Sequence, residues 1–138
     1  MAQMKLNVKS DNIEFGTNIL KVKVPKQLRN KVKCGVDYID AALGGGGFTP
    51  SAVTFFTGTP GSGKTTMMLK MADSLTRNGA LVVFNTAEES LYQVKLVAER
   101  LNLKHGFHAG QETSVPALLE YCDALRNKRG NKNKPFFL

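Results

Sequence analysis

Gly58-Thr-Pro-Gly-Ser-Gly-Lys-Thr65 satisfies every fixed position of the phosphate-binding loop pattern G-x-x-x-x-G-K-[ST]. What flanks the octapeptide decides the fold class. Ala52-Val-Thr-Phe-Phe-Thr57 before it is an apolar run that predicts a strand, and Thr66-Met-Met-Leu-Lys-Met-Ala72 after it predicts a helix. Gly58, Gly61 and Gly63 let backbone N–H groups turn towards an anion without side chains in the way. The positive end of the following helix favours the same charge. Lys64 can reach β- and γ-phosphates, and Thr65 can offer its hydroxyl to Mg²⁺. The expected ligand is therefore a nucleoside triphosphate with Mg²⁺, cradled by Gly58, Thr59, Pro60, Gly61, Ser62, Gly63, Lys64, Thr65 and Thr66. The alternative is a glycine-rich turn that merely precedes a helix.

Outward from the loop, apolar spacing alternates between two periods. Met68, Met71, Ala72 and Leu75 keep helical intervals, read as core packing, and Asn78-Gly79 supplies a stop. Ala80-Leu-Val-Val-Phe84 has no alternation, as expected of a strand buried on both faces of a parallel sheet. Ser90 with Gln93 spells a capping box, followed by Leu91, Val94, Ala98 and Leu101 on one helical face. Gly106–Ala109 reads as a short strand, and Val115, Leu118, Leu119, Cys122 and Leu125 as another helix face. Upstream, Leu20-Lys-Val-Lys-Val24 alternates like a half-buried strand closed by Pro25, and Val36–Leu43 reads as a short helix. Gly44 to Gly47 end that helix as a flexible turn, with a second phosphate contact as the other reading. Strands alternating with helices predict an α/β three-layer sandwich around a mostly parallel sheet. The chain divides into a basic segment with a short strand, 1–34, and the sandwich proper, 35–138.

The 138 residues are 42% hydrophobic and 22% charged, the balance of one soluble globular domain. No apolar run is long enough for a membrane span, and Met1-Ala-Gln-Met-Lys-Leu6 has no signal-peptide core. Cys34 and Cys122 lack metal-type spacing and read as free buried thiols of a cytoplasmic protein. His105 and His108 have no acidic or cysteine neighbours in sequence and read as loop residues. The net charge of +8 sits at the two ends: residues 1–35 hold eight Lys/Arg and two acids, residues 126–138 five Lys/Arg and none. The middle, 36–125, is mildly acidic. Basic ends suit a polyanion such as DNA or RNA, or else serve as solvated tails. Arg126–Lys134, without an apolar anchor, is expected to be a mobile loop.

Asn85-Thr-Ala-Glu-Glu-Ser90 follows the buried strand directly. Parallel strands share one C-terminal edge, so Glu88 and Glu89 are expected near the γ-phosphate, where a carboxylate can orient or deprotonate water. The other reading makes them first-turn acids favouring a helix N-terminus.

GVDYIDAALGGG (35–46), GTPGSGKTT (58–66) and NTAEESLYQVKLVAERLNL (85–103) together resemble the RecA-like ATPases of the bacterial RadA/Sms family, relatives of DnaB-type helicases and KaiC. The resemblance covers roughly residues 35–138. It implies Glu88 as catalytic glutamate, Glu89 assisting as in KaiC, and assembly into rings or filaments on single-stranded DNA with ATP between subunits. Such an ATPase acts in DNA recombination, repair or replication. The alternatives are a KaiC-like regulatory ATPase with a protein ligand and a small-molecule P-loop kinase, the latter disfavoured by the paired glutamates. The family's four-cysteine zinc finger has no counterpart here beyond Cys34. Pro135-Phe-Phe-Leu138 reads as the start of the strand that carries the family's second magnesium acid, so the domain is expected to be truncated within it. Weak hydrolysis by the chain alone, and self-association or disorder at that strand, are expected.

Overall fold

Every residue of the run Ala80–Val83 is buried, and the sheet explains why. In the computed structural model, which describes residues 13–138, β1 (Leu81–Asn85) is the middle strand of three. β2 (His108–Gly110) pairs with it in parallel, Val83 opposite His108, and β3 (Phe136–Phe137) does so on its other side, Leu81 opposite Phe136. A strand paired on both sides sends alternate side chains into two cores. Val82 joins Cys34, Ile39, Met71, Ala72 and Leu75, whereas Leu81 and Val83 join Cys122 and Leu125. Helix α3 (Lys64–Arg77) supplies the first core and helix α5 (Val115–Arg126) the second. Sheet between helices gives the predicted three-layer α/β order, with each buried aliphatic side chain contributing about 1.5–3 kcal/mol. Both cysteines are free and buried. Among the described residues, no helix is long and apolar enough to cross a membrane.

Local chemistry sets the remaining boundaries. α3 stops at Asn78, Gly79 turns at φ 87°, and the chain doubles straight back into β1. α4 (Leu91–Arg100) starts with the capping box, the Ser90 hydroxyl accepting from the Gln93 N–H while Gln93 Oε1 accepts from the Ser90 N–H at 3.0 Å. Short helices α1 (Lys26–Arg29) and α2 (Asp37–Ala42) precede the loop. Gly44 and Gly45, with φ near 80°, close α2, and Lys31 Nζ donates to the Leu43 carbonyl at 3.0 Å. A Cβ at Gly47 would collide with the Val32 backbone, which bridges to Phe48 in antiparallel pairing. Cys34 packs beside Ile39, so the segment before residue 35 contributes directly to the core.

Four expectations need correction. Ala52–Thr57 is extended but makes no ladder bonds: Val53 and Phe55 are 82% and 85% exposed, while Phe56 turns inward to meet Phe48 edge-on at 6.5 Å. β3 is two residues long and bonds only to β1, and a groove of about 960 Å³ separates it from the 52–56 segment. Leu20–Val24 is no strand either. The Asn18 side chain caps a 3₁₀ turn at Ile19–Lys21, and Leu20 is 91% exposed, because alternation without a neighbouring sheet edge has nothing to pair with. On α3 the fully buried residue is Leu69, and Met68 faces outward. Arg126–Lys134, expected to be mobile, is a bonded series of turns, Asn131 Nδ2 donating to the Leu125 carbonyl at 3.0 Å. The basic residues Lys5 and Lys9 lie outside the described residues.

Candidate nucleotide site

The N-terminus of α3 is left open where those of the two other long helices are closed. Ser90 caps α4 and Ser114 caps α5, but α3 begins after Gly63, at φ 85°, with no side-chain cap. Its first intrahelical bond runs from the Met67 N–H to the Gly63 carbonyl at 2.9 Å. The N–H groups of Lys64, Thr65 and Thr66 therefore stand unpaired at the positive end of a 14-residue helix. Gly61, at φ 77°, and Gly63 have open space where a Cβ would be, so an anion can approach the backbone there. Across the loop, the Ser62 N–H donates to the Thr59 carbonyl at 3.2 Å. A Cβ at Gly58 would lie 2.7 Å from Ser62 Oγ, which would have to rotate away.

Lys64 crosses the mouth of this loop. Its ammonium donates to the Gly58 and Thr59 carbonyls, each at 2.9 Å. Thr65 and Thr66 are half-buried at the base of the helix. The donor set fits a polyphosphate: three backbone N–H groups, one movable cation and, at Thr65, a hydroxyl able to ligate Mg²⁺.

The glutamates reach the same end of the molecule by topology. α3 and β1 run antiparallel through the Asn78–Gly79 turn, so the start of α3 and the end of β1 lie together. Fourteen helical residues rise about 21 Å. The five residues of β1 span about 17 Å, so the chain leaves β1 towards the end of the molecule where α3 begins, and Glu88 and Glu89 follow in the bend. The bend after β1 is fixed: the Thr86 N–H donates to the Gly110 carbonyl at 3.1 Å, and Thr86 Oγ1 accepts from the Glu89 N–H at 3.1 Å. Glu88 is exposed and Glu89 half-buried, and neither carboxylate has an ion-pair partner among the described residues.

Three polar contacts around this frame escape a reading by motif. Asn85 exchanges two bonds with the Glu112 backbone, at 2.8 and 2.9 Å, clamping β1 to the chain after β2. Asp40 is buried and accepts from the Cys34 and Gly35 N–H groups at 2.9 and 3.0 Å. Burial alone would raise its pKa, but those N–H groups, the Cys34 thiol and the Lys33 charge hold it below the ordinary carboxylate value. Burial pushes the Cys34 thiol up to about 11, with Asp40 adding to the rise, which disfavours the thiolate. On α3, Asp73 accepts from the N–H groups of Lys104, His105 and Gly106 and lies 3.2 Å from His105 Nδ1. His105 thus has an acidic neighbour after all, one 32 residues away in sequence.

A protein-family model described as "ATPase: KaiC" matches residues 32–132. The DNA repair protein RadA of Listeria monocytogenes is 30% identical over 104 residues, 75% of this chain and 22% of that protein. RadA of Mycobacterium tuberculosis is 39% identical over 67 residues, covering 49% of this chain and 14% of the relative. RadA of Campylobacter jejuni is 42% identical over 63 residues, 46% and 14% respectively. The chain therefore spans about a fifth or less of the length of these relatives. No solved structure matches it. The open loop before α3, the parallel sheet between helix layers and a family match over most of its length all agree: this chain belongs to the KaiC family of ATPases, with the RecA-like P-loop fold.

Proposed function

We propose that the chain is the nucleotide-binding part of a cytoplasmic DNA-repair ATPase that binds ATP and Mg²⁺ and hydrolyses the nucleotide in response to single-stranded DNA. The observation that carries this reading is the uncapped N-terminus of α3 behind a loop whose lysine can be turned onto phosphate. Gly58–Thr66 holds the phosphates, Thr65 contributes the magnesium ligand, and Lys64 offsets charge on the β- and γ-phosphoryl groups. Glu88 accepts the proton of the water that attacks the γ-phosphorus, and Glu89 assists. The likeness to proteins named for DNA repair supports that setting. Recombination or replication as the wider role, and a homo-oligomeric ring or filament as the working form, are part of the same proposal.

A second reading, a regulatory ATPase acting on protein partners, is favoured by the family description alone. ATP turnover by a protein of the relatives' length, with and without single-stranded DNA at low salt, separates the two. Stimulation is expected. Equal turnover in both conditions removes the DNA reading and leaves the ATPase, whereas no ATP binding at all removes both.

A further inference from the structure

The nucleotide site leaves the most basic stretch of the described chain unused. Arg126-Asn-Lys-Arg-Gly-Asn-Lys-Asn-Lys134 joins α5 to β3 with five cations and no acid. It has a defined shape. The Asn131 N–H donates to the Lys128 carbonyl at 3.1 Å, the Lys134 N–H to the Asn131 carbonyl at 3.0 Å, and Lys134 Nζ to Asn131 Oδ1 at 3.2 Å. Gly130 takes φ 92° at the reversal. The stretch is fastened at both ends, by Asn131 on the last turn of α5 and by the Arg126 guanidinium lying 5.6 Å from the centre of the Phe136 ring on β3. Arg129 and Lys132 are exposed and donate to no protein group among the described residues.

Asn127, Arg129, Gly130, Lys132 and Asn133 line a hollow of about 360 Å³. Its lining charges are all positive and its remaining side-chain polar groups are carboxamides, a donor-rich set suited to phosphate oxygens. Asn127–Lys134 contains no aliphatic or aromatic side chain. It therefore has nothing apolar to insert into a bilayer and no aromatic ring on which a base could stack, which leaves the sugar–phosphate backbone as the main recognisable element. The stretch also lies at the end of the sheet where the parallel strands begin, opposite the end that holds Lys64 and Glu88. A bound strand and a bound nucleotide would not compete.

We propose that the α5–β3 turn is a phosphodiester-binding site for single-stranded nucleic acid, reading the backbone without regard to sequence. The proposal rests on the DNA reading above and gives it a location. The test is fluorescence anisotropy of a labelled oligothymidylate with the 138-residue chain, repeated across salt concentrations. Arg129→Gln with Lys132→Gln should weaken binding about tenfold or more and lower the slope of log K against log salt by about 1.4, two contacts at about 0.7 each. Lys70→Gln with Lys95→Gln, the same charge removed from α3 and α4, should change affinity less than about threefold. Neither pair fills a core position, and circular dichroism confirms folding. Equal losses for the two pairs would mean that binding follows net charge, and the site would be wrong. Equally tight binding of polyglutamate would make the partner an acidic protein, and displacement by inorganic phosphate at constant ionic strength would reduce the site to one for the free ion; either overturns the proposal. If the unaltered chain ignores oligothymidylate while still binding ATP, the DNA reading itself falls, a result distinct from an indifferent Arg129/Lys132 pair.

Discussion

Where β1 ends, the molecule offers the glycines of the phosphate loop, the unpaired N–H groups of α3 and the carboxylates of Glu88 and Glu89. Where β1 begins, it offers Arg77, Arg100 and Arg126 in the last turns of α3, α4 and α5, and the basic turn that follows α5. Both ends suit anions, by different means. In a parallel α/β unit every connecting helix points its N-terminus the same way, so one end collects backbone donors and the other collects exposed carbonyls. Cations placed on those carbonyls then make the second end basic as well. Recognition at the first end depends on main-chain geometry, which few substitutions can imitate. At the second it depends on side chains whose effects should add.

The largest expected effect tests the first end. Lys64→Ala should weaken Mg-ATP binding by about 100-fold, on the order of 3 kcal/mol, in titration calorimetry. Arg129→Gln with Lys132→Gln should leave that affinity alone, and a shared response would erase the division between the ends. Next, Glu88→Gln in a protein of the relatives' length should lower turnover by about 100-fold with ATP affinity retained. Glu89→Gln should do less; the opposite ranking, read from phosphate release, moves the catalytic acid one residue along.

A smaller effect concerns the end where β1 begins. Asp73→Ala removes the acceptor of three N–H groups and should cost about 2 kcal/mol in urea unfolding. Burial by itself would raise the Asp73 pKa, but the His105 and Gly106 donors win and hold it low. A carboxylate with a depressed folded pKa stabilises fully above its unfolded value of about 3.9, and that stability is lost as pH falls through the lower folded value. Acid titration of stability should therefore be shallower below about pH 4 in Asp73→Asn than in the unaltered chain. The smallest effect belongs to neither end. Lys95→Ala breaks the exposed Lys95–Glu99 pair and should change stability by less than about 0.5 kcal/mol.

Local chemistry was legible and distant pairing was not. The Ser90–Gln93 box joins residues three apart, and the glycine conformations at 61 and 63 follow from a loop that must approach phosphate, so both are written in short words. The depth of Ala80–Val83 was visible because a strand covered on two faces cannot alternate. Ala52–Thr57 carries an equally apolar pattern, yet ladder bonds need a neighbour whose position no local pattern records. Leu20–Val24 shows the reverse error, an alternation with no edge to join. On α3, Met67, Met68 and Leu69 are consecutive and all apolar, so periodicity alone could slip by one residue. The Asp73–His105 and Asn85–Glu112 contacts span 32 and 27 residues and obey no spacing rule.

The two carbonyl bonds of Lys64 have a consequence for the way the site engages ATP. An arriving triphosphate must draw the ammonium away from Gly58 and Thr59 before gaining its charge. Encounter and engagement are then separate events, the first second-order in protein and nucleotide, the second a side-chain rearrangement with its own rate. Exposed side chains rearrange within nanoseconds, so this release does not slow binding: in stopped flow the observed rate should climb linearly with ATP concentration, and the lysine exchange should register in affinity.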